Sequence, residues 1–504
     1  MKNSPRHLLA ALTLVLLATA CGTPTKNPVT GKTERTVMDE KTEIAEGRKA
    51  HEEVLKEYSR LDNPALQAYV SELGQRLAAQ SHRPHLPWTF TVLDSPEVNA
   101  FALPGGYVYV TRGIMAFLDS EADLAGVLGH EIGHVTARHG AQRATRQQNA
   151  GLGVFAATVL GVLLESRGAA GAGQAAGQIA QGVAAGHIAK YGREQELQAD
   201  QLGAEYLARV QYDPGNMVDV IGVLLDQDKY REDQARAAGK QPAERNDWLA
   251  SHPTSEERLQ KIRARALAVR QGDRYQDEGR LRYLQAMDGV TVGDSREQGV
   301  IRGRHFFHEP LQIALTAPQG WRINNTGEAV QVVNPAGDAG LIMRLVPAEA
   351  GSTHEEIVRN LFKPEKGRLE PLALQGGLKG SHFSGVRRNS EGQAVNVEAS
   401  FVTGPANRHY LLGWAAADAQ ALQRARPGLR EAEASFRALG AAEARQARPH
   451  VLRLVPMPAG GFAQLARSSP LTEQAENRLR LLNGAYGRDE PKAGQLVKVV
   501  GLAP

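Results

Sequence analysis

Five residues, His130-Glu131-Ile132-Gly133-His134, constrain this chain more than any other stretch. On a helix, two histidines four positions apart lie one turn apart on one face, where both imidazoles can reach a single zinc ion. Glu131 stands beside them, placed to take a proton from a metal-activated water. The surrounding LAGVLGHEIGHVTARHG supplies the helix, with Leu124, Val127, Leu128 and Val135 as its apolar backing. Taken alone, the pattern is also compatible with a pair of satisfied structural histidines. A catalytic zinc site needs a third protein donor. About 60 residues downstream, in YGREQELQADQLG (191–203), Glu196 and Asp200 are again four apart on a probable helix. This arrangement suggests Glu196 as the third ligand and Asp200 as a carboxylate that orients a ligand histidine through its other ring N–H. Without the upstream motif, two such carboxylates would read as a solvated helix face.

HEIGHVTARH, the Glu-x-x-Ala-Asp arrangement in EQELQAD and a later His-Pro followed by Arg together resemble the zinc endopeptidase family of the Ste-type CAAX prenyl proteases, HtpX and BepA. The resemblance spans roughly residues 45–285. It implies one zinc per chain, held by His130, His134 and Glu196, with Glu131 as general base and Asp200 behind the ligands. In SHPTSEERL it places His252 and Arg258 near the metal. There they are suited to share the oxyanion of the tetrahedral intermediate, or, for His252, to occupy the open zinc position in a resting state. The resemblance also implies that an exposed edge strand in VNAFALPGG (98–106) binds substrate backbone by β-addition, with Asn99, Ala100 and Phe101 at the matching positions. An ordinary edge strand with a Pro-Gly-Gly turn is the plainer reading. His139, five residues past His134 and so on a different face of a continuous helix, reads as structural.

The N-terminus supplies an address. Lys2 and Arg6 precede an apolar run of 13 residues, Leu8 to Ala20, which is short for a membrane span and fits a signal-peptide core. The run ends at Cys21, the only cysteine of the chain, so no intramolecular disulfide can form. This junction resembles a bacterial lipobox, with Ala18 where leucine is usual, and implies a lipidated Cys21. Gly22 after it favours the outer membrane, and the stretch Thr23–Thr36 reads as a polar tether. Lysine and arginine number 59 against 55 acidic residues, and removal of Lys2 and Arg6 leaves 57 against 55. That balance, with 5% aromatic residues, argues against a nucleic-acid-binding protein.

The expected architecture is α+β and multidomain. A signal peptide (1–20) and a lipidated tether (21–44) precede a mainly helical, gluzincin-type peptidase domain with a small sheet over 45–290. Asn63-Pro64 marks a helix start within it, and WTFTVLDS (88–95) and YVYVT (107–111) alternate as strands. An insert rich in Gly, Ala and Gln (149–190) interrupts the metal site. Its longest apolar run, 151–164, is too short to span a bilayer, and a helical hairpin acting as a lid or plug is expected, with a membrane-dipping hairpin as the alternative. An α+β domain without a chemical motif follows over 300–440. The last residues, 448–504, form a β-α-α-β pattern that resembles a divergent LysM module and implies peptidoglycan as a binding partner.

The function these readings favour is a zinc-dependent endopeptidase of the bacterial envelope, a periplasm-facing lipoprotein acting on misfolded or unassembled envelope proteins. The alternatives are a chaperone or assembly factor for outer-membrane proteins with latent protease activity, and a peptidoglycan-binding module.

Overall fold

A computed structural model describes residues 23–149, 192–237, 239, 248–253, 256–270, 272, 275, 277–326, 329–389 and 392–503. The signal peptide, Cys21 and the insert from 150 to 190 lie outside the described residues. The described chain forms two compact units. One comprises residues 23–149, 192–290 and 452–500, and the other 291–451 and 501–503.

In the first unit, helix starts follow side-chain caps. Asp39 Oδ1 accepts the Thr42 N–H at 2.7 Å and opens α1 (Glu40–Glu57). Asn63 accepts the Leu66 N–H, with Pro64 at the first helical position of α2 (Pro64–Ala79), where its missing donor costs nothing. The expected tether is instead a hairpin, β1 (Thr23–Lys26) against β2 (Thr33–Thr36). It is fixed because Asn27 Oδ1 accepts the backbone N–H groups of Val29 and Thr30, closing the turn. Three strands, β3 (Thr89–Leu93), β4 (Ala100–Leu103) and β5 (Tyr107–Thr111), form a sheet in the order β3-β5-β4. β3 and β5 are parallel, and β4 returns antiparallel to β5 through Gly105 and Gly106, both at positive φ. β4 is therefore an edge strand. After the short α3 (Arg112–Phe117) comes α4 (Glu121–Thr136), opened by a Ser120–Asp123 capping box and buried at every residue. The helix runs through the core, so its polar residues Glu121, Asp123, His130, Glu131 and His134 are enclosed along with its apolar ones. α5 (His139–Asn149), α6 (Arg193–Arg209), α7 (Asn216–Ala237), the short α8 (Trp248–Ser251), α9 (Glu256–Val269) and α10 (Arg280–Met287) complete the helical part.

The C-terminal residues have the expected order of strand, two helices and strand: His450–Pro456, Gly461–Arg467, Ala475–Leu482 and Leu496–Leu502. Residues 452–500 belong to the first unit rather than standing apart. Tyr486 Oη donates to Asp233 at 2.8 Å, Arg488 pairs with Asp226, and Arg280 donates to the Leu496 carbonyl. Lys498, fully buried, donates its ammonium to the carbonyls of Ala116 and Leu118 at the end of α3. No helix among the described residues is long and apolar enough to cross a membrane.

The second unit is α+β. A seven-stranded antiparallel sheet runs in the order 322–325, 330–333, 339–345, 409–416, 394–403, 379–388, 366–372. The helix Ala419–Ala434 packs through Ala425, Leu429 and Ala432 against Leu341, Tyr410 and Leu412.

Burial lowers the Lys498 pKa to about 8, an effect that the Asp119 and Asp123 charges oppose and Arg280 adds to. Its folded-state pKa thus lies below the unfolded value, so the buried charge costs stability wherever both states are protonated. That cost, on the order of 3 kcal/mol, is present in full below pH 8 and is relieved as pH rises toward 10.5. The wild type should therefore gain stability over this window relative to Lys498→Met, as read by denaturant unfolding of both proteins from about pH 7 to 10.

Candidate metal centre

The site is built where α4 and α6 touch. A Cβ added to Gly133 would lie 2.8 Å from the Ala199 carbonyl oxygen, and one on Gly203 would lie 3.1 Å from the His130 nitrogen. Only small residues permit this approach, and it brings the side chains of one helix within reach of the other's carboxylates. His130 and His134 leave the same face of α4, and Glu196 and Asp200 the facing side of α6, as the spacing implies.

Four donor groups then converge. His134 Nε2 lies 3.0 Å from His130 Nε2, and His252 Nδ1 lies 3.1 Å from His130 Nε2 and 3.0 Å from Glu196 Oε1. Glu196 Oε1 is 3.4 Å from His134 Nε2, and Glu196 Oε2 is 3.6 Å from His130 Nε2. All four residues are buried, and their donor atoms lie within 4.8 Å of one another. A tetrahedral zinc ion with ligands at about 2.0–2.2 Å requires ligand-to-ligand edges of about 3.3–3.6 Å, and the observed spacings cluster near that range. His130 Nδ1 lies 2.9 Å from Asp200 Oδ1, so it carries the proton that the carboxylate accepts and leaves Nε2 as a lone pair. Several lone pairs aimed at one buried point repel unless a cation sits between them, and the donor set of imidazoles and a carboxylate fits zinc.

The charge balance agrees. Burial raises the cost of ionising Glu196, but the neighbouring His252 and His134 hold its pKa well below the ordinary value. Asp200, also opposed by burial, is held low by Arg258 and His130. Burial pushes His134 well below 6.5 and His139 down to about 4, so both rings are neutral and available as acceptors. His130 is the exception: burial disfavours its charge, yet Asp200, Glu196 and Glu131 raise its pKa.

Glu131 lies fully buried beside the donors. Its Oε1 accepts from Trp248 Nε1 at 3.0 Å, while Oε2 has no hydrogen-bond partner among the described residues. Trp248 belongs to the short α8, which leads into His252. The rings of Trp248 and His252 stack at 4.7 Å, and the Trp248 backbone N–H donates to the Val98 carbonyl at 2.8 Å. Val98 directly precedes the expected substrate strand. Asn99 faces β5 with both backbone groups, its N–H donating to Thr111 Oγ1 and its carbonyl accepting the Thr111 N–H. By strand alternation the Val98 and Ala100 backbone groups face the other way, along the open edge of β4. Ala100 is buried and Phe101 half-buried, with its ring stacked on Tyr109. The side-chain oxygen of Asn99 is buried without a hydrogen bond among the described residues.

Arg258 stands elsewhere than an oxyanion role requires. Nε donates to Asp200 Oδ2 at 2.7 Å and Nη2 to Oδ1 at 2.9 Å, while Nη1 donates to the carbonyls of His252 and Pro253 and lies 2.8 Å from Glu196 Oε2. In place of the expected contact with substrate, the guanidinium clamps the two carboxylates behind the ligands, as its planar fork suits it to do.

His139 is bound into the centre, contrary to the helix-face argument. α4 ends at Thr136, Arg138 takes a left-handed φ of 57°, and α5 begins at His139. The break turns the ring back so that its Nδ1 meets His134 Nδ1 at 2.9 Å, while its Nε2 meets Gln198 Oε1 at 3.1 Å. Spacing on one continuous helix could not show this. Trp248 and Gln198 carry no sequence signal either.

Residues 64–266 match Peptidase family M48, and this span contains every donor named above. The chain is 34% identical over 212 residues to the beta-barrel assembly-enhancing protease of Escherichia coli K12, covering 42% of this chain and 41% of that protein. It is 35% identical over 207 residues to a putative beta-barrel assembly-enhancing protease of Vibrio cholerae, covering 41% of this chain and 40% of that protein. To a mitochondrial metalloendopeptidase of Schizosaccharomyces pombe it is 30% identical over 217 residues, covering 42% of this chain and 58% of that protein. The chain thus spans about two fifths of the length of the bacterial relatives it matches. The family resemblance read from HEIGH, EQELQAD and the later His-Pro is borne out over this region, and the donor set is that of a zinc metallopeptidase.

Gly133→Ala should force α4 and α6 apart, because the new methyl meets a backbone oxygen that cannot move aside. Overpacking of this kind costs about 1–3 kcal/mol. The expected result is a lower unfolding midpoint in denaturant together with loss of zinc in a metal-content measurement.

Proposed function

We propose that this chain is a zinc-dependent endopeptidase of the bacterial cell envelope that cleaves misfolded or unassembled envelope proteins. The observation that carries the reading is the convergence of His130, His134 and Glu196 beside Glu131 Oε2, which has no hydrogen-bond partner among the described residues. Bound zinc supplies a Lewis acid that acidifies water and polarises a carbonyl. Glu131 Oε2 takes the proton of the attacking water and returns it to the leaving nitrogen, while Oε1 stays oriented by Trp248. Asp200 holds the His130 ring, and Arg258 holds Asp200 and Glu196. Within Asn99, Ala100 and Phe101, Ala100 turns its backbone groups to the open edge, on which an extended segment of an unfolded protein can pair by β-addition. The names of the bacterial relatives support a role in outer-membrane protein assembly. Lipidation at Cys21, with β1 beginning at Thr23, would hold the metal centre close to the membrane face.

A second element of the proposal rests on His252. Its Nδ1 takes the fourth donor position, and the centre is closed, with His130, Glu131 and Glu196 at 0% exposure and His252 at 1%. This state is a latched one, in which proteolysis waits for the Trp248–His252 segment to leave. It also supports the alternative of an assembly factor whose protease activity is latent. For residues 452–500, the contacts with the peptidase-type unit support a packing role, with peptidoglycan binding left to a pull-down on cell-wall sacculi.

Cleavage of casein by the purified protein, with about one zinc per chain, tests the reading. Glu131→Gln should lower the rate about 10²–10⁴-fold and keep the zinc. His252→Ala should raise the rate severalfold, because the open state no longer competes with a bound histidine. Cleavage that survives in Glu131→Gln would sink the mechanism, and His252→Ala activity equal to wild type would remove the latch.

A further inference from the structure

The hairpin that precedes α1 reaches the metal centre through a chain of hydrogen bonds whose polarity is fixed at one end by the backbone. Asn27, 3% exposed, has its Oδ1 committed to the N–H groups of Val29 and Thr30, at 2.9 and 3.0 Å. The group it turns toward Gln198 is therefore the amide nitrogen, which donates to Gln198 Oε1 at 3.0 Å and to Glu34 Oε1 at 3.0 Å. An amide oxygen can only accept. His139 Nε2, 3.1 Å from the same oxygen, must then carry a hydrogen. In the neutral ring this leaves His139 Nδ1 as an acceptor, so His134 Nδ1, 2.9 Å away, must be the donor. His134 Nε2 is thereby left as a bare lone pair, facing His130 Nε2 at 3.0 Å where the donors converge.

We propose that Asn27 is a positioning residue of the metal centre: through Gln198 and His139 it fixes the tautomer in which His134 presents Nε2 to the metal. The inference rests on the zinc reading of the centre given above. It deepens that reading by assigning the segment just after Cys21 to the metal site rather than to a passive linker. The hairpin is clipped in place by a second contact beside the chain, since Arg138, next to His139, bonds Thr25 Oγ1, the Met38 carbonyl and Glu43. Asp200 does for His130 in one step what Asn27, Gln198 and His139 do for His134 in three.

The test is zinc affinity of the purified full chain, measured by competition with a chromophoric chelator, alongside the melting temperature of the metal-free protein. Gln198→Met removes the acceptor, and Asn27→Asp turns an oxygen toward Gln198 where a donor stood. Both should weaken zinc binding about 10–100-fold, the usual cost of losing a partner behind a metal ligand. Gln198→Glu keeps an acceptor for both neighbours and should stay within a few-fold of wild type. Asn27→Ala, which removes the donor without adding charge, should fall between. Wild-type affinity in Gln198→Met and Asn27→Asp would overturn the inference. So would equal losses in Gln198→Glu and Gln198→Met, since packing rather than polarity would then be at work. Should Gln198→Met fail to fold, by its metal-free melting, Asn27→Asp and Asn27→Ala decide. A wild type that binds no zinc would instead overturn the reading of the centre itself, and the inference with it.

Discussion

Everything at the metal centre depends on how closely α4 and α6 approach. A Cβ on Gly133 would lie 2.8 Å from the Ala199 carbonyl oxygen, which leaves no room for it, and one on Gly203 would lie 3.1 Å from the His130 nitrogen, a tight contact. Two helices in ordinary contact keep their axes about 8–10 Å apart, and side chains as short as histidine and glutamate then need a close crossing to bring their tips to within 3.4 Å, as His134 Nε2 and Glu196 Oε1 are. The same closeness buries the carboxylates completely. Burial of two carboxylates among three imidazoles would be costly without compensation. Here it is met by Arg258, whose guanidinium is divided between Asp200 and Glu196. The small residues, the clamp and the ligands are one arrangement, and loss of any of them exposes the others to uncompensated charge.

Proximity alone does not make an imidazole a ligand, because the nitrogen that faces the metal must be the one without a hydrogen. Both histidines of α4 are held at Nδ1, but by different partners. His130 donates to a carboxylate, which also supplies negative charge and raises the ring's basicity. His134 donates to a neutral imidazole, which supplies orientation and little charge. The centre thus pairs a more basic ligand with a less basic one. Glu196 adds the only charge among the direct donors.

Much of this is legible from residue types and spacing. The i, i+4 pairs in HEIGH and ELQAD are local geometry, and local geometry is what a sequence states most directly. The cap at Asn63 and the strands over 88–95 and 107–111 are likewise local, and they appear at α2, β3 and β5. The misreadings share a cause. His139 reads as structural only on a continuous helix, and the left-handed Arg138 breaks that helix. The stretch 23–36 reads as a tether because it is polar and carries Pro24, Pro28 and Gly31, yet Asn27 makes it a turn that docks onto residues 108–171 positions away in sequence. Arg258 is near the expected place, but which acceptor a guanidinium takes is settled by partners on another helix. Tertiary contacts of this kind leave no periodicity to read.

The Trp248–His252 segment brings these interactions into one competition. Within five residues it fills the fourth donor position, bonds the carboxylate of Glu131 and occupies the Val98 carbonyl at the head of the edge strand. Under the proposed endopeptidase reading, an extended peptide pairing along β4 would need that carbonyl, and its scissile group would need the position His252 holds. Substrate and segment are therefore mutually exclusive at two points, and by linkage each weakens the other's hold. Trp248 and His252, at the two ends of this short segment, are stacked on each other, so in that reading their bonds would be given up together. A peptide that captured the edge would then pull on the same unit that holds the fourth donor position. Opening then gives up the Val98 and Glu131 hydrogen bonds and the His252 donor position together, and only a peptide long enough to pair with several edge residues can offset that cost. Selection for extended, unfolded chain would follow from this competition alone, without a specificity pocket.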